Sequence, residues 1–262
     1  MTERVTIEHV GSIAHVRLNR PEKKNGLDLE MFEAIIAAGV ALTDHAGLRA
    51  VVLSGEGGCF CAGLDFMAFM AGGEEAQERL LNPRVGGANP AQRIATVWQE
   101  VPVPVIAAIE GVAFGGGCQL AAGADLRIAA PDARLSVMEI KWGLIPDMGI
   151  TQTLMRLVRP DVLKELTWTG RVVEADEALA IGLITSIATD PVAAALALAE
   201  TIASKNPQAQ RASKAMFRAA HSLGPEAALT LETELQLPLL GSANQLEAVM
   251  ANMQKRAARF ED

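Results

Sequence analysis

Short apolar segments that alternate with helical segments constrain the fold of this chain more than any other feature of its sequence. Ala50–Ser54, Val105–Ile109 and Leu126–Ala129 have the composition of buried strands, and stretches of helical periodicity separate them. Two parallel neighbouring strands need a long crossover connection, which is usually a helix, whereas antiparallel neighbours can be joined by a tight hairpin. Strands separated by helices therefore indicate parallel pairing. Two further short strands, Val5–Glu8 and Ile13–Leu18, precede them. The order of elements therefore predicts an α/β fold around a largely parallel sheet.

The second half of the chain is predicted to be nearly all helical. Helical periodicity resumes at Thr151, and only a short strand at Ile184–Ala188 interrupts it. The predicted helices are Thr151–Val158, Asp161–Thr169, Ala175–Ala180, Pro191–Ser204, Pro207–Leu223 and Glu247–Phe260. We accordingly predict an α/β core over residues 1–195 and a helical C-terminal region over residues 196–262.

One long segment of the first half is predicted to be a loop. Ala71–Pro90 follows a helical piece that ends near Met70, and it is rich in glycine and in charged residues. Such a composition is typical of mobile surface loops. Because the segment flanks a glycine-containing corner described below, we expect it to act as a lid over a bound ligand.

Composition and charge exclude several classes of function. The net charge is −8, and no clustered basic face is visible, which argues against nucleic acid as the main ligand. Three cysteines and four histidines lack the spacing of a metal site, and no Ser-His-Asp arrangement is indicated. The N-terminus is polar and no apolar run is long enough to span a membrane. These features predict a cytoplasmic protein that binds neither a metal nor a membrane.

Two glycine-containing corners follow buried strands and could bind an anionic oxygen. Phe60–Asp65 comes after the Ala50–Ser54 strand, and Gly111–Gln119 comes after the Val105–Ile109 strand. Where a strand passes into a helix, free N–H groups point outward, and glycine lets a ligand approach the main chain. Two such corners could direct two donors at one carbonyl oxygen and form an oxyanion hole. Taken alone, the glycines favour the simpler explanation of a tight turn or close packing of a helix on the sheet.

Two carboxylates occur in an otherwise apolar segment, Ser136–Gly149. Glu139 and Asp147 have mainly apolar neighbours, and Gly143 and Pro146 prevent one continuous helix across the segment. Partial loss of hydration raises the pKa of a carboxyl and suits it for proton transfer. The structural alternatives are a salt bridge from Glu139 to the nearby lysine and a helix cap by Asp147.

The order of four motifs resembles the crotonase superfamily, which comprises enoyl-CoA hydratases and isomerases. These motifs are Leu18–Leu27, Phe60–Asp65, Gly115–Cys118 and Glu139–Gly149. The resemblance extends over most of the chain. It implies a crotonase-like α/β spiral of ββα units with a helical C-terminal part. It also implies assembly into a homotrimer or a dimer of trimers, with the C-terminal region serving oligomerisation and capping of the site.

The resemblance also implies roles for individual residues. The N–H groups of Leu64 and Gly116 would hold the carbonyl oxygen of an acyl-CoA thioester, and Glu139 and Asp147 would be catalytic. The residues predicted to bind the substrate are Lys24, Asn25, Ala62, Gly63, Asp65, Gln119 and Lys255. CoA is part of the substrate, so no separate cofactor is expected.

The reaction is left open between double-bond isomerisation and hydration. Hydratases carry two carboxylates at the positions of Gln119 and Glu139, and the amide of Gln119 cannot transfer a proton. The pair of Glu139 and Asp147 is similar to that of dienoyl-CoA isomerases, which favours isomerisation. The alternatives are a hydratase that uses Glu139 alone, with Gln119 positioning water, and a non-catalytic or RNA-binding member of the family. Asp147 could also be a nucleophile, although no histidine is placed near it.

Overall fold

The computed structural model of the protein describes residues 3–82 and 84–262. Met1 and Thr2, at the predicted polar N-terminus, and Pro83, within the predicted loop, lie outside the described residues. The strands are β1 (Val5–Val10), β2 (Ile13–Leu18), β3 (Ala50–Gly55), β4 (Val105–Ile109), β5 (Val112–Phe114), β6 (Leu126–Ala129), β7 (Arg134–Ser136), β8 (Val173–Glu174) and β9 (Ser186–Ile187). The helices are α1 (Leu29–Thr43), α2 (Phe66–Leu81), α3 (Pro90–Glu100), α4 (Gly116–Gly123), α5 (Pro160–Thr169), α6 (Ala175–Ala180), α7 (Pro191–Ala203), α8 (Pro207–Ala220), α9 (Pro225–Gln236) and α10 (Ala243–Met253).

Six of the strands form the main sheet, in the order β1-β2-β3-β4-β6-β9. Strand β1 pairs antiparallel with β2, and every other neighbouring pair in this sheet is parallel. Strand β4 is buried along its whole length, as expected for a parallel strand covered on both faces. The predicted largely parallel sheet is therefore confirmed.

A second, smaller sheet has the order β5-β7-β8. Strand β5 pairs parallel with β7, and β7 pairs antiparallel with β8. The sequence did not predict these strands, because two or three residues are too few to show an alternating pattern. The small sheet matters for function because β5 lies within the second glycine-containing corner and leads into its glycine run.

Helices cover both faces of the main sheet. On one face, Phe32 of α1, Ile94 and Trp98 of α3, and Leu120 of α4 belong to a large apolar core. On the other face, alanines of α7 pack against β2, β3 and β4 through a smaller cluster that includes Ala195, Ala199 and Ala203. The predicted division between residues 195 and 196 thus falls inside α7. This helix belongs to the core, and the C-terminal helical part begins after it.

The predicted loop over Ala71–Pro90 is wrong for most of its length. Helix α2 continues to Leu81 with a kink at Gly73, and Ala76 and Leu80 are buried against the core. These two residues are one helical turn apart, and their contacts with the core stabilise a segment whose composition favours a loop. What remains of the loop is short, and Val85 and Ala88 hydrogen-bond to each other across it.

Two helix predictions in the second half also need correction, and one helix was not predicted. Thr151–Val158 contains turns and one 3-10 helix, Leu154–Arg156, instead of an α-helix. Helix α10 begins earlier than predicted and ends at Met253, before Lys255 adopts a left-handed backbone angle. Helix α9 was not predicted, and none of its residues is buried, so its sequence shows no core-facing pattern. No helix of the described residues is long and apolar enough to cross a membrane.

Candidate active site

The first glycine-containing corner is held between two neighbouring segments by main-chain hydrogen bonds. The N–H of Ala62 donates to the carbonyl oxygen of Lys24 at 2.9 Å, so the structure brings these two predicted CoA-binding residues together. The N–H of Leu27 donates to Gly63, and the N–H of Asp65 donates to Leu27. These bonds use the backbone groups on both sides of Leu64. They fix the direction in which its own N–H points.

Asn25 has a structural role, which corrects the prediction that it binds substrate. Its side chain is completely buried, and its amide oxygen accepts a hydrogen bond from the N–H of Arg20. Its amide nitrogen donates to the carbonyl oxygens of Glu56 and Cys59. The amide therefore joins three parts of the backbone, and the exposed Lys24 beside it remains available to a ligand.

The carboxylate of Asp65 is also engaged by the protein itself. It accepts the N–H of Ala68 as the N-cap of α2 and forms an ion pair with Arg20 at 2.9 Å. The hydrogen bond from Ala68 lowers the pKa of this carboxyl, and Arg20 lowers it further. Arg20 also contacts Asp28 and the carbonyl oxygen of Gly26. Asp65 thus anchors the first corner, and its contact with substrate stays a prediction. Arg20 is a positioning residue that sequence reasoning missed.

The second corner packs directly on the first. Gly63 has a φ of +89°, and a methyl group there would lie 2.5 Å from the carbonyl oxygen of Phe114 and 3.6 Å from the nitrogen of Gly116. A side chain at Gly117 would collide with the carbonyl oxygen of Cys61. Only glycine allows this approach, so the glycine runs serve contact between the two corners as well as the turn.

Two free N–H groups remain where the corners meet. The N–H groups of Leu64 and Gly116 donate to no acceptor within residues 3–82 and 84–262. Gly116 is the first residue of α4, so the positive end of the helix dipole adds to its donor. This arrangement has the character of an oxyanion hole, which stabilises negative charge that develops on a carbonyl oxygen.

Glu139 lies next to the second corner. A methyl group at Gly115 would lie 3.4 Å from Glu139 Oε1, which places this carboxyl one residue away from the Gly116 donor. The amide nitrogen of Gln119 donates to Glu139 Oε1 at 2.7 Å, and the amide oxygen of Gln119 accepts the N–H of Met148 at 2.9 Å. Glu139 Oε2 is buried and has no hydrogen-bond partner among the described residues. The predicted alternative of a salt bridge from Glu139 to Lys141 is not observed among these residues.

The surroundings of Glu139 make its carboxylate a stronger base. Burial raises the pKa of the Glu139 carboxyl, and the negative charge of Asp147 raises it further. The hydrogen bond from Gln119 acts in the opposite direction because it favours the ionised form. A raised pKa makes a carboxylate a better acceptor of the proton that an enolisation must remove.

Asp147 lines a cleft near Glu139. It is exposed and lines a cleft of about 630 Å³ beside α3, together with Gln92, Thr96 and Pro146. Loss of hydration in this cleft raises the pKa of its carboxyl. Met148, which follows it, starts no helix, so the predicted helix cap is wrong. Glu139 is not among the residues that line this cleft.

Lys255 lies far from the other predicted residues of its own chain. It follows α10, and the neighbouring Arg256 lines a groove with residues 204–206 at the C-terminal end of α7. Arg49, just before β3, donates to the carbonyl oxygens of Ala203 and Phe260. The C-terminal segment is therefore attached where the parallel strands begin, whereas both corners follow the ends of strands. The predicted contact of Lys255 with CoA stays a prediction.

Two aromatic residues at the site were also missed. The rings of Phe66 and Trp142 stack, although Trp142 is 57% exposed. Phe66 begins α2 directly after the first corner, and Trp142 ends the 3-10 helix that begins at Glu139. The sequence signal was the presence of Trp142 within the carboxylate segment, close to Glu139. Its exposure in the structure indicates a surface that could face a ligand.

Comparison with known protein families identifies the class to which this fold and site belong. The family model for enoyl-CoA hydratase/isomerase matches residues 8–262. The chain therefore belongs to this family, the crotonase superfamily, and is an enzyme of it. This confirms the resemblance and the fold predicted from the sequence.

Individual relatives include both isomerases and hydratases. The chain is 31% identical to the mitochondrial Delta(3,5)-Delta(2,4)-dienoyl-CoA isomerase of Mus musculus, over 93% of this chain and 77% of the relative. It is also 31% identical to a crotonyl-CoA hydratase of Syntrophomonas wolfei, over 98% of each chain. Among solved structures, an enoyl-CoA hydratase from Bacillus anthracis superposes with a TM-score of 0.89 at 30% identity, over 98% of each chain.

Proposed function

We propose that this enzyme moves a double bond within an enoyl- or dienoyl-CoA thioester. The N–H groups of Leu64 and Gly116 would hold the thioester carbonyl oxygen, and Glu139 would remove a proton from the carbon next to that carbonyl. The electron pair then passes to the oxygen, where the two N–H groups stabilise the enolate. A proton added further along the acyl chain completes the migration, with no net gain or loss of atoms.

The observation that carries this proposal is that both ends of the Gln119 amide are hydrogen-bonded within the protein. Hydration needs a water molecule held and activated beside the double bond. The amide of Gln119 is completely buried and is bound at one end to Glu139 and at the other to Met148. It carries no transferable proton at neutral pH. This leaves one carboxyl, Glu139, next to the oxyanion hole, which suits proton abstraction better than paired activation of water.

Asp147 is assigned the second proton transfer in this proposal. Its carboxyl opens into the cleft beside α3, which would take the distal part of the acyl chain. A proton returned from that side would reach a carbon remote from the one that Glu139 deprotonates. Asp147 lines this cleft and Glu139 does not, which supports such a division, because the two reacting carbons are separated along the acyl chain.

Hydration is the second candidate, and a specific comparison favours it. The Syntrophomonas wolfei relative, which matches over nearly its whole length, is named a crotonyl-CoA hydratase. In a hydratase of this kind Glu139 would act as the only acid and base. The two reactions differ in mass balance, which makes them easy to separate.

The substrate and assembly complete the proposal. Lys24 and the backbone at Ala62 would bind the CoA part, which belongs to the substrate, and the reaction needs no metal or other cofactor. We also propose a homotrimer or a dimer of trimers. Helix α9 supports this, since it has no buried residue, and several leucines of the C-terminal region are exposed, namely Leu229, Leu237, Leu240 and Leu246. A cytoplasmic location stays a prediction.

The deciding experiment incubates the enzyme with crotonyl-CoA, a 3-enoyl-CoA and a 3,5-dienoyl-CoA. We expect unchanged product mass with a shifted absorbance for the second or third substrate, and no turnover by Glu139→Gln. A gain of one water on crotonyl-CoA at a higher rate would establish the hydratase instead. Melting curves with CoA test binding separately, because a ligand present at 100 times its Kd stabilises the fold by about 2.7 kcal/mol.

A further inference from the structure

We propose that Gln119 is a positioning residue that determines which oxygen of Glu139 carries the proton. The inference rests on the proposed function in one respect, that Glu139 is the group that transfers a proton. It concerns a contact between two side chains, and it can therefore be tested with and without turnover.

The orientation of the Gln119 amide follows from its partners. The backbone N–H of Met148 can only donate, so the group that it contacts at 2.9 Å must be the amide oxygen. The NH₂ group then faces Glu139 and contacts Oε1 at 2.7 Å. The opposite orientation would place an NH₂ group against an N–H group, which is unfavourable on both sides.

This orientation assigns different roles to the two oxygens of Glu139. An NH₂ group can only donate, so Oε1 must be an acceptor in every protonation state of the carboxyl. When Glu139 holds a proton, that proton must lie on Oε2. Oε2 is the buried atom that has no hydrogen-bond partner among the described residues. A buried charged oxygen left without a partner is costly, and a proton on Oε2 makes it a neutral hydroxyl, which lowers that cost.

Gln119 also connects Glu139 to the segment that contains Asp147. Its oxygen holds the N–H of Met148, which follows Asp147 directly in the chain. The same side chain therefore fixes the 3-10 helix that begins at Glu139 relative to the cleft-lining segment. Because Gln119 is 0% exposed, it acts through these neighbours and does not contact the substrate.

A carboxyl at this position would change the chemistry of Glu139. In Gln119→Glu, an oxygen can still accept the N–H of Met148, but the other oxygen meets Glu139 Oε1 at hydrogen-bond distance. Two carboxyls this close cannot both be ionised, so they share a proton. In Gln119→Met, both hydrogen bonds are lost and the volume is nearly retained.

The test measures the titration of Glu139 by ¹³C NMR of glutamate-labelled enzyme, with the resonance assigned by its loss in Glu139→Gln. The pH profile of kcat/KM for isomerisation gives a second, independent readout. Gln119→Met removes a hydrogen bond that favours the ionised form, so the titration and the acidic limb of the profile should both move to higher pH. Gln119→Glu should move them in the same direction through the shared proton. In both variants kcat should fall roughly 10- to 100-fold, as expected when a reacting group is loosely placed.

The control is Gln245→Leu, which removes a hydrogen bond to Gly241 at the start of α10, away from the site. It should leave the titration and the pH profile unchanged. Circular dichroism identifies any variant that fails to fold. If Gln119→Met does not fold, Gln119→Glu alone still tests the proposal. An unchanged Glu139 titration in a folded Gln119 variant would overturn the positioning role. Wild-type enzyme without isomerase activity, but with a titration that responds to Gln119, would instead refute the proposed function alone.

Discussion

The rings of Phe66 and Trp142 stack with their centroids 4.7 Å apart, at an angle of 20° between the ring planes. This contact joins the start of α2 to the 3-10 helix that begins at Glu139. The first glycine-containing corner and the carboxylate segment are thereby connected on the outer side of the site.

The stack predicts a specific effect of Trp142→Ala. The change removes an aromatic pair worth about 0.5–1.5 kcal/mol and frees the segment that holds Glu139. We expect a slightly lower melting temperature together with a clear loss of kcat. Trp168→Ala is the matched control, because Trp168 is 70% exposed and stacks on no aromatic ring of the described residues. Equal effects of the two substitutions on kcat would argue against a role for the stack.

Arg20 is predicted to be important for stability and for binding of CoA. Arg20→Met removes the partner of Asp65 and Asp28 in a largely buried cluster, and such a loss costs roughly 3 kcal/mol. The first corner should loosen, so CoA affinity should fall along with the free energy of unfolding. Denaturant unfolding and calorimetric titration with CoA measure the two effects.

Arg159→Met serves as the control for that experiment. Arg159 forms an ion pair with Asp161 in which both side chains are largely exposed, and such pairs contribute little. The free energy of unfolding and the affinity for CoA should both stay near those of the wild type. A loss as large as that of Arg20→Met would mean that burial of the cluster is not the cause.

Gly116→Pro tests the oxyanion hole because proline removes the backbone N–H donor. Loss of one oxyanion donor costs about 10²- to 10³-fold in kcat. Gly116→Ala keeps the N–H and is the matched control, since its methyl group would meet only the movable side-chain atoms Met148 Sδ at 2.7 Å and Leu27 Cδ1 at 2.9 Å. Its loss of kcat should therefore be much smaller. Steady-state kinetics and circular dichroism are the measurements, and near-normal kcat in a folded Gly116→Pro enzyme would remove Gly116 from the site.

Glu139 should lower the stability of the protein at neutral pH. Its pKa is raised in the folded state by burial, so between the unfolded and the folded pKa the native protein binds more protons than the unfolded chain. Stability therefore falls as the pH rises through this window, and it stays lower above it. Glu139→Gln cannot ionise, so this part of the pH dependence should disappear.

The same variant should lose activity while it gains stability. We expect a fall in kcat of roughly 10²- to 10⁴-fold, because the proton-transferring group is gone. Its melting temperature should be equal to that of the wild type at low pH and higher at neutral pH. Melting curves recorded across pH, with kinetics at one pH, test both halves. A variant that is less stable at neutral pH would show that the charged form of Glu139 stabilises the fold.

Several features of this protein were determined by the sequence alone. The apolar strands Val105–Ile109 and Leu126–Ala129 were predicted with the bounds that the structure has, because central parallel strands are continuously apolar. Asp28 is of a residue type that favours helix N-caps, and its side chain accepts the N–H of Met31 at the start of α1. The motif order also identified the family. These are local signals, carried by residues that are adjacent in the chain.

Only the tertiary structure decided what the polar side chains of the site do. Asn25 and Asp65 belong to binding motifs, yet their polar groups are used by backbone and side chains that are distant in sequence. Gln119 and Glu139 are 20 residues apart, and only folding brings them into contact. Helix α2 likewise depends on burial of Ala76 and Leu80 against a core that its own sequence does not show. Hydrogen-bond partners and burial arise from contacts between distant segments, which a reading of local pattern cannot supply.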